Sequence, residues 1–359
     1  MREGYSSNKY IVTYIVLGVS VVLLFIANLA YGAVSIPISK VVEILFSSQS
    51  PSGSQYLAWS RIVMDFRLPQ AVTALLCGAS LASSGLLLQT LFRNPLAGPS
   101  ILGISDGANL GVAIVMLYLG GSISLNGGPG SDCILSLTGY AAVVFAALVG
   151  AMAILGIIIY MSGRIRNNVM LLIVGIMIGY LASSVISMLN FYASADKVHS
   201  FVMWGMGNFS GVPMQKLPYF ALFSIVGLIG VVLLIKPLNA LLLGENYAAN
   251  LGVRIKPMRI AILLITGILT ASATAFCGPV SFIGLAVPHI ARFILGTSNH
   301  RHLVPVTILS GSAVALLCNM LTVFPGNSYV LPLNAVTPFI GAPVIIYVIL
   351  NKKNVQYFN

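Results

Sequence analysis

Apolar runs of about 20 residues, separated by short polar breaks, recur from one end of the chain to the other. A helix needs roughly 20 such residues to cross a hydrocarbon core of about 30 Å. Barrel strands are short and alternate polar with apolar positions, so long unbroken runs point to helices. The pattern predicts an all-α membrane protein with ten spans, at about 10–31, 68–92, 99–119, 133–161, 169–191, 217–235, 259–276, 280–296, 304–322 and 337–350. The eighth is short and carries Pro288 inside it. Between them, 32–66 is polar and mixed, 120–132 (GGSISLNGGPGSD) is a Gly and Ser loop, and 323–336 is rich in Pro and Asn. These read as connections outside the bilayer. The whole chain, 1–359, reads as a single polytopic domain.

Composition agrees: 58% of residues are hydrophobic and 7% charged, against about a quarter charged in soluble domains. A net charge of +11 could indicate nucleic acid, but the basic residues are scattered singly through short loops, which argues against it. They report orientation instead. With the amino terminus in the cytoplasm, thirteen fall inside (Arg2, Lys9, Arg93, Arg164, Arg166, Lys236, Arg254, Lys256, Arg259, Arg292, Arg301, Lys352, Lys353) and five outside (Lys40, Arg61, Arg67, Lys197, Lys216). The positive-inside rule therefore predicts that both termini are cytoplasmic. The first 31 residues hold an apolar run of about 20 without a cleavage site, and read as a first span rather than a removed signal peptide. Cys77, Cys133, Cys277 and Cys318 have no metal-type spacing and read as small core fillers.

Against this background ALLLGENYAANLGV (240–253) stands out, because Asp and Glu together number only seven and Glu245 is one of them. It lies in the connection 236–259, on the predicted cytoplasmic side. Gly244, Ala248 and Gly252 recur every four residues, which on a helix lines small residues along one stripe and lets another surface approach. The same pattern also fits an amphipathic helix lying on the bilayer. The chain has no GxxxxGK[ST], so energy for any pumping comes from another polypeptide or an ion gradient. For a gradient-driven secondary transporter the intramembrane ionisable residues are few: Asp106, which also suits a helix cap, and His289, placed to bond carbonyls freed by Pro288. The four histidines (His199, His289, His300, His302) fall on different sides, and no catalytic cluster, cofactor site or metal site is indicated.

Four segments together resemble the FecCD family, the permease subunits of ATP-driven importers for ferric siderophores, heme and cobalamin. They are RLPQAVTALLCGASLASSGLLLQTLFRNPLAGPSILGISDGANLG (67–111), LLLGENYAANLGV (241–253), GPVSFIGLAVPHIARFILGTSNHRHLVP (278–305) and IGAPVIIYVIL (340–350). The resemblance implies a bacterial inner-membrane protein with a cobalamin-importer-permease-like fold. It implies a homodimer around a central path, two cytoplasmic ATP-binding subunits and an external solute-binding protein. Loop 236–259 would form two short helices docking on the ATPase through Gly244, Glu245, Ala248, Leu251 and Gly252, with Glu245 pairing a basic neighbour and Leu251 as apolar anchor. The inner gate would fall on Asn167 and Asn168 in RIRNNVMLLIVG (164–175), where an Asn helix cap is equally suited. Outside, Arg67 would meet acids of the binding protein. Gln70, Asn319 and Val323 depart from the family's Arg, Asp and Arg, so either Arg61, Lys197 or Lys216 would compensate or the binding protein would carry fewer acids. VMWGMGNFSG (202–211) matches a Trp and Gly segment that packs as helix and loop, with His199, Met203 and Met206 as bystanders.

Overall fold

The computed structural model describes residues 2–46, 54–120, 122–126, 133–165, 167–323 and 330–350. Helix α1 (Arg2–Ala30) is followed by the short α2 (Ile38–Phe46) and by α3 (Ser54–Arg61), which continues through a wide π-helical stretch, Ile62–Arg67, into α4 (Leu68–Phe92). Pro69 dictates that stretch: it has no N–H to offer and its ring crowds the carbonyl four residues back, so the chain widens just before it and Leu68 N–H bonds Val63 O. A 3-10 turn, Pro99–Leu102, precedes α5 (Ile104–Ala113), which a second wide stretch extends to Tyr118. A hairpin of β1 (Ser122–Asn126) and β2 (Cys133–Thr138) leads into α6 (Tyr140–Arg164), α7 (Asn168–Tyr192) and α8 (Ala195–Gly205). Then come α9 (Leu217–Leu233), α10 (Ile235–Leu242), α11 (Glu245–Asn250), α12 (Ile255–Cys277), α13 (Ile283–Leu295), α14 (His300–Leu321) and α15 (Leu333–Leu350).

All ten predicted segments fall on apolar helices, but they differ in length. Six helical stretches are long and apolar enough to cross a membrane, and α9 with α10, bent by 53°, makes a seventh. The other three, Ile104–Tyr118, Ile283–Leu295 and Leu333–Tyr347, are shorter. At 1.5 Å per residue α13 covers about 20 Å, less than the ~30 Å core. Two boundaries move. The fourth segment starts at Tyr140 rather than 133, because CILSLT, whose last four residues alternate apolar with hydroxyl, pairs as a strand. The polar stretch 32–66 is partly helical, since α2 buries Val41 and Ile44 and α3 runs directly into α4.

Helix α4 is the axis of the molecule. It is buried along almost its entire length, enclosed by α14, α12, α13 and α9. Outside this ring α1 lies on α14, α6 on α12, α5 on α6, α7 on α5 and α15 on α13. Where lipid surrounds the bundle no hydrophobic force draws helices together, so close backbone approach and polar contacts do so. At the α4–α14 crossing a Cβ on Gly78 would lie 2.2 Å from Gly311 O, and one on Gly311 2.4 Å from Gly78 O. Alongside, Ser312 Oγ of α14 donates to Leu75 O of α4 at 3.1 Å. Cys77, Cys277 and Cys318 are buried free thiols; the side chain of Cys133 lies outside the described residues.

The helices order the molecule into two ends. Arg93, Asn168, the loop 235–254 and His300 meet at one; Ala30, Arg67, Cys277 and Asn319 lie at the other. The first turns of α1 reach the loop end, where Tyr14 Oη and His302 Nδ1 lie 2.8 Å apart and Tyr10 stacks on His302 at 4.1 Å. At the far end Asn334 is a hub. Its Nδ2 donates to Pro279 O at 2.7 Å and Gly205 O at 3.2 Å, its Oδ1 accepts from Ser281 N at 3.0 Å, and its backbone N–H donates to Met206 O at 3.0 Å. One side chain thus ties α8, the α12–α13 link and α15. Asn334→Asp keeps the shape but removes both side-chain donors, and is expected to cost about 2–4 kcal/mol. A melting temperature in detergent equal to the parent's would refute this role.

Candidate functional site

The loop after α9 is built by its prolines and glycines. The ring of Pro237 crowds the carbonyl of Leu233, so the chain bends at Leu234 and α10 leaves at an angle. Gly244 then takes φ 107, a conformation hostile to any side chain, and starts α11. Polar bonds fasten both short helices to the body. On α10, Asn239 Oδ1 accepts from His300 N at 2.8 Å and lies 3.0 Å from His300 Nδ1, while Asn239 Nδ2 donates to Asn299 Oδ1 at 3.0 Å. The other ring nitrogen of His300 is 2.9 Å from Thr90 Oγ1 at the end of α4.

On α11, Glu245 Oε1 accepts from Arg259 Nη2 at 3.0 Å and from Asn168 Nδ2 at 2.9 Å. Glu245 therefore does pair with a basic neighbour, but the neighbour belongs to its own chain. The small-residue stripe also turns out differently from the sequence expectation. Gly244 and Ala248 are buried against the body, and only Gly252, at φ 86, is exposed. The physical reason is that the loop needs close approach to its own helices. What faces outward are Leu243 at the end of α10, Tyr247 on α11 and Leu251 just after it, which are 55%, 53% and 59% exposed. The sequence singled out Leu251 alone; Tyr247, four residues before it, is the position that helical spacing could have revealed.

The turn from α6 to α7 abuts this loop. Asn167 caps α7, its Oδ1 accepting from Val169 N at 2.8 Å and Met170 N at 3.4 Å. Besides Glu245, the amide of Asn168 donates to Leu91 O at 3.1 Å in the last turn of α4. Arg259 Nη1 donates to Ile165 O at 3.1 Å, just after α6. The ends of α4 and α6, the starts of α7 and α12, and α11 thus converge around one carboxylate oxygen. Arg166 lies outside the described residues.

At the opposite end Arg67 is 7% exposed and faces inward. Its guanidinium donates to Leu29 O at 2.8 Å, Ala30 O at 2.9 Å and Val34 O, closing the carbonyl end of α1. It does not present a charge for docking. Gln70 and Asn319 are partners: Gln70 Nε2 donates to Asn319 Oδ1 at 2.9 Å, and Asn319 Nδ2 to Asn28 Oδ1 at 2.7 Å. Two positions that looked like lost surface charges form an internal amide chain across α1, α4 and α14. Val323 bridges Val330. Of the possible compensating cations, Arg61 is exposed, Lys216 is exposed with its ammonium 5.9 Å from the Tyr219 ring, and Lys197 Nζ donates to Leu117 O at 3.3 Å.

His289 Nε2 is 2.7 Å from Pro95 O, a carbonyl of the loop after α4. Asp106 sits in the first turn of α5, beside Gly179 of α7. Trp204 stacks on Phe201 at 6.4 Å within α8. Among the described residues no three His, Cys, Asp or Glu side chains converge as a metal site.

Comparison with known proteins places these features. Residues 20–351 match the model of the FecCD transport family. The chain is 33% identical to the uncharacterized ABC transporter permease protein YvrB of Bacillus subtilis, covering 96% of this chain and 93% of that one. It is 34% identical to the vitamin B12 import system permease protein BtuC of Citrobacter koseri, covering 81% and 83%. A solved structure described as an inward-facing conformation of a metal-chelate-type ABC transporter superposes with a TM-score of 0.78 at 26% identity, covering 95% of this chain and 98% of that one.

Proposed function

The chain belongs to the FecCD transport family and is an ABC importer permease of that type, and from this premise we propose that it moves an iron chelate (ferric siderophore or heme) or a corrinoid across the bacterial inner membrane. The subunit crosses the bilayer ten times, with both termini and loop 236–259 in the cytoplasm, and works as a homodimer. ATP hydrolysis resides on two cytoplasmic ATP-binding subunits, and an external solute-binding protein delivers the cargo. In this reading the inner gate is the α6–α7 turn, at Asn167 and Asn168. The exposed cations Arg61 and Lys216 take the place of Arg67 in docking the binding protein.

The observation that carries the ATPase assignment is the exposure of Leu243, Tyr247 and Leu251 on a loop whose polar groups are bonded to its own body. Apolar anchors held rigidly on a protruding loop are what a groove on a soluble partner takes up. ATP closes the partner dimer, the loop moves as a rigid unit, and access changes from the outer to the inner side. Purification of the tagged chain from its native membrane is expected to recover an ATP-binding polypeptide. Leu243→Asp combined with Leu251→Asp should lower that recovery at least tenfold without loss of folded permease, since both side chains point away from the core. Substrate uptake into vesicles by this chain alone, driven by a proton or sodium gradient, would replace this reading with a secondary transporter.

A further inference from the structure

We propose that Glu245 is a transmission residue rather than an ATPase contact: its carboxylate clasps the coupling loop to the gate turn, so that movement of α11 is delivered directly to the start of α7. The proposal rests on the importer reading above and assigns the step between docking and gating to three side chains. The docked surface of α11 is Tyr247 and the flanking leucines, whereas Glu245 Oε1 faces the opposite way and accepts from both Asn168 Nδ2 and Arg259 Nη2. Asn168 is the first residue of α7, so its bond to Glu245 links the loop and the gate helix with no intervening side chain.

The second bond of each donor gives the clasp its fulcrum. Asn168 is also anchored to Leu91 O of α4, the buried axis, and Arg259 to Ile165 O at the end of α6. Arg259 therefore holds Ile165 at the end of α6, while Leu91 and Glu245 hold Asn168 at the start of α7. Displacing α11 must either carry the turn along or break two hydrogen bonds to one oxygen, one of them charge-assisted on both sides. The loop's other fastening, Asn239 with His300 and Asn299, ties α10 to α14 and does not touch the gate turn. Of these two polar attachments, the one through Glu245 reaches α7.

The test uses the permease co-purified with its ATP-binding subunits, carrying a single accessible cysteine at Val169→Cys, an exposed position in the first turn of α7. The readout is the rate of labelling by a membrane-impermeant maleimide, with and without ATP plus vanadate. The parent complex is expected to change its labelling rate at least fivefold on trapping. Glu245→Ala should still recover the ATP-binding subunits, yet its response should shrink to less than twofold. Glu245→Gln, which keeps the accepting oxygen, should restore more than half of the response, which a merely destabilised loop would not show. Asn168→Ala cuts the tie to α7 while leaving the ion pair, and should lose the response in the same way; it decides the matter if Glu245→Ala does not fold. A full response in Glu245→Ala or in Asn168→Ala overturns the proposal. So does loss of the ATP-binding subunits from folded Glu245→Ala, which would make Glu245 a docking contact. If the parent chain itself recovers no ATP-binding subunit, the importer reading fails instead.

Discussion

The Gly78→Leu substitution is expected to abolish accumulation of folded permease, whereas Gly156→Leu is expected to leave it near the parental level. Both glycines lie inside long helices, so the intrinsic helix gain over glycine is similar for each, up to about 1 kcal/mol. The surroundings differ. A Cβ at Gly78 would stand 2.2 Å from Gly311 O and 2.5 Å from the Ala315 Cβ, while at Gly156 nothing lies within 4 Å. Backbone cannot swing aside as a side chain does, so α4 and α14 must separate. Overpacking costs about 1–3 kcal/mol even where side chains can adjust, and here the whole crossing is lost. Size-exclusion profiles of detergent-solubilised protein would check this. A sharp peak at the parental position for Gly78→Leu would show that the crossing is looser than described.

The second large effect is expected at Arg67. Arg67→Ala removes bonds to three carbonyls at the end of α1 and is expected to cost about 3–5 kcal/mol, since each charge-assisted bond contributes about 1.5–3 kcal/mol and the three share one side chain. The melting temperature in detergent should fall by several degrees. The fraction that stays folded should bind the external binding protein as the parent does. An unchanged melting temperature with weakened binding would return Arg67 to the docking surface that its motif suggested.

The contrast between Arg67 and Glu245 shows how far the sequence could be read. Apolar runs located the helices, because the bilayer imposes length and composition on anything that crosses it. The misread stretch, 133–138, is a place where that constraint does not act: a strand of a hairpin. Charged residues were harder. Rarity marked Glu245 and the family resemblance marked Arg67, but neither carries direction, and in both cases the side chain bonds groups distant in sequence. Arg67 meets Leu29 and Ala30, and Glu245 meets Asn168. The same holds for Gln70 and Asn319, whose pairing spans 249 positions. Local pattern fixes which residues share a helix face, not which distant helix that face meets.

The enclosure of α4 also bears on how the chain is made. Its partners α12, α13 and α14 all follow it late in the sequence. After α4 leaves the ribosome the chain must lengthen by roughly 200 residues before α14 begins, about 10–40 s of synthesis at ~5–20 residues per second. Until α14 has been made, a helix bearing Thr73, Ser80, Ser83, Ser84, Gln89 and Thr90 lacks part of the enclosure that will bury it. Yield in the cell then depends on how long a hydroxyl-lined helix survives the insertion machinery and the membrane proteases, as well as on the stability of the finished bundle.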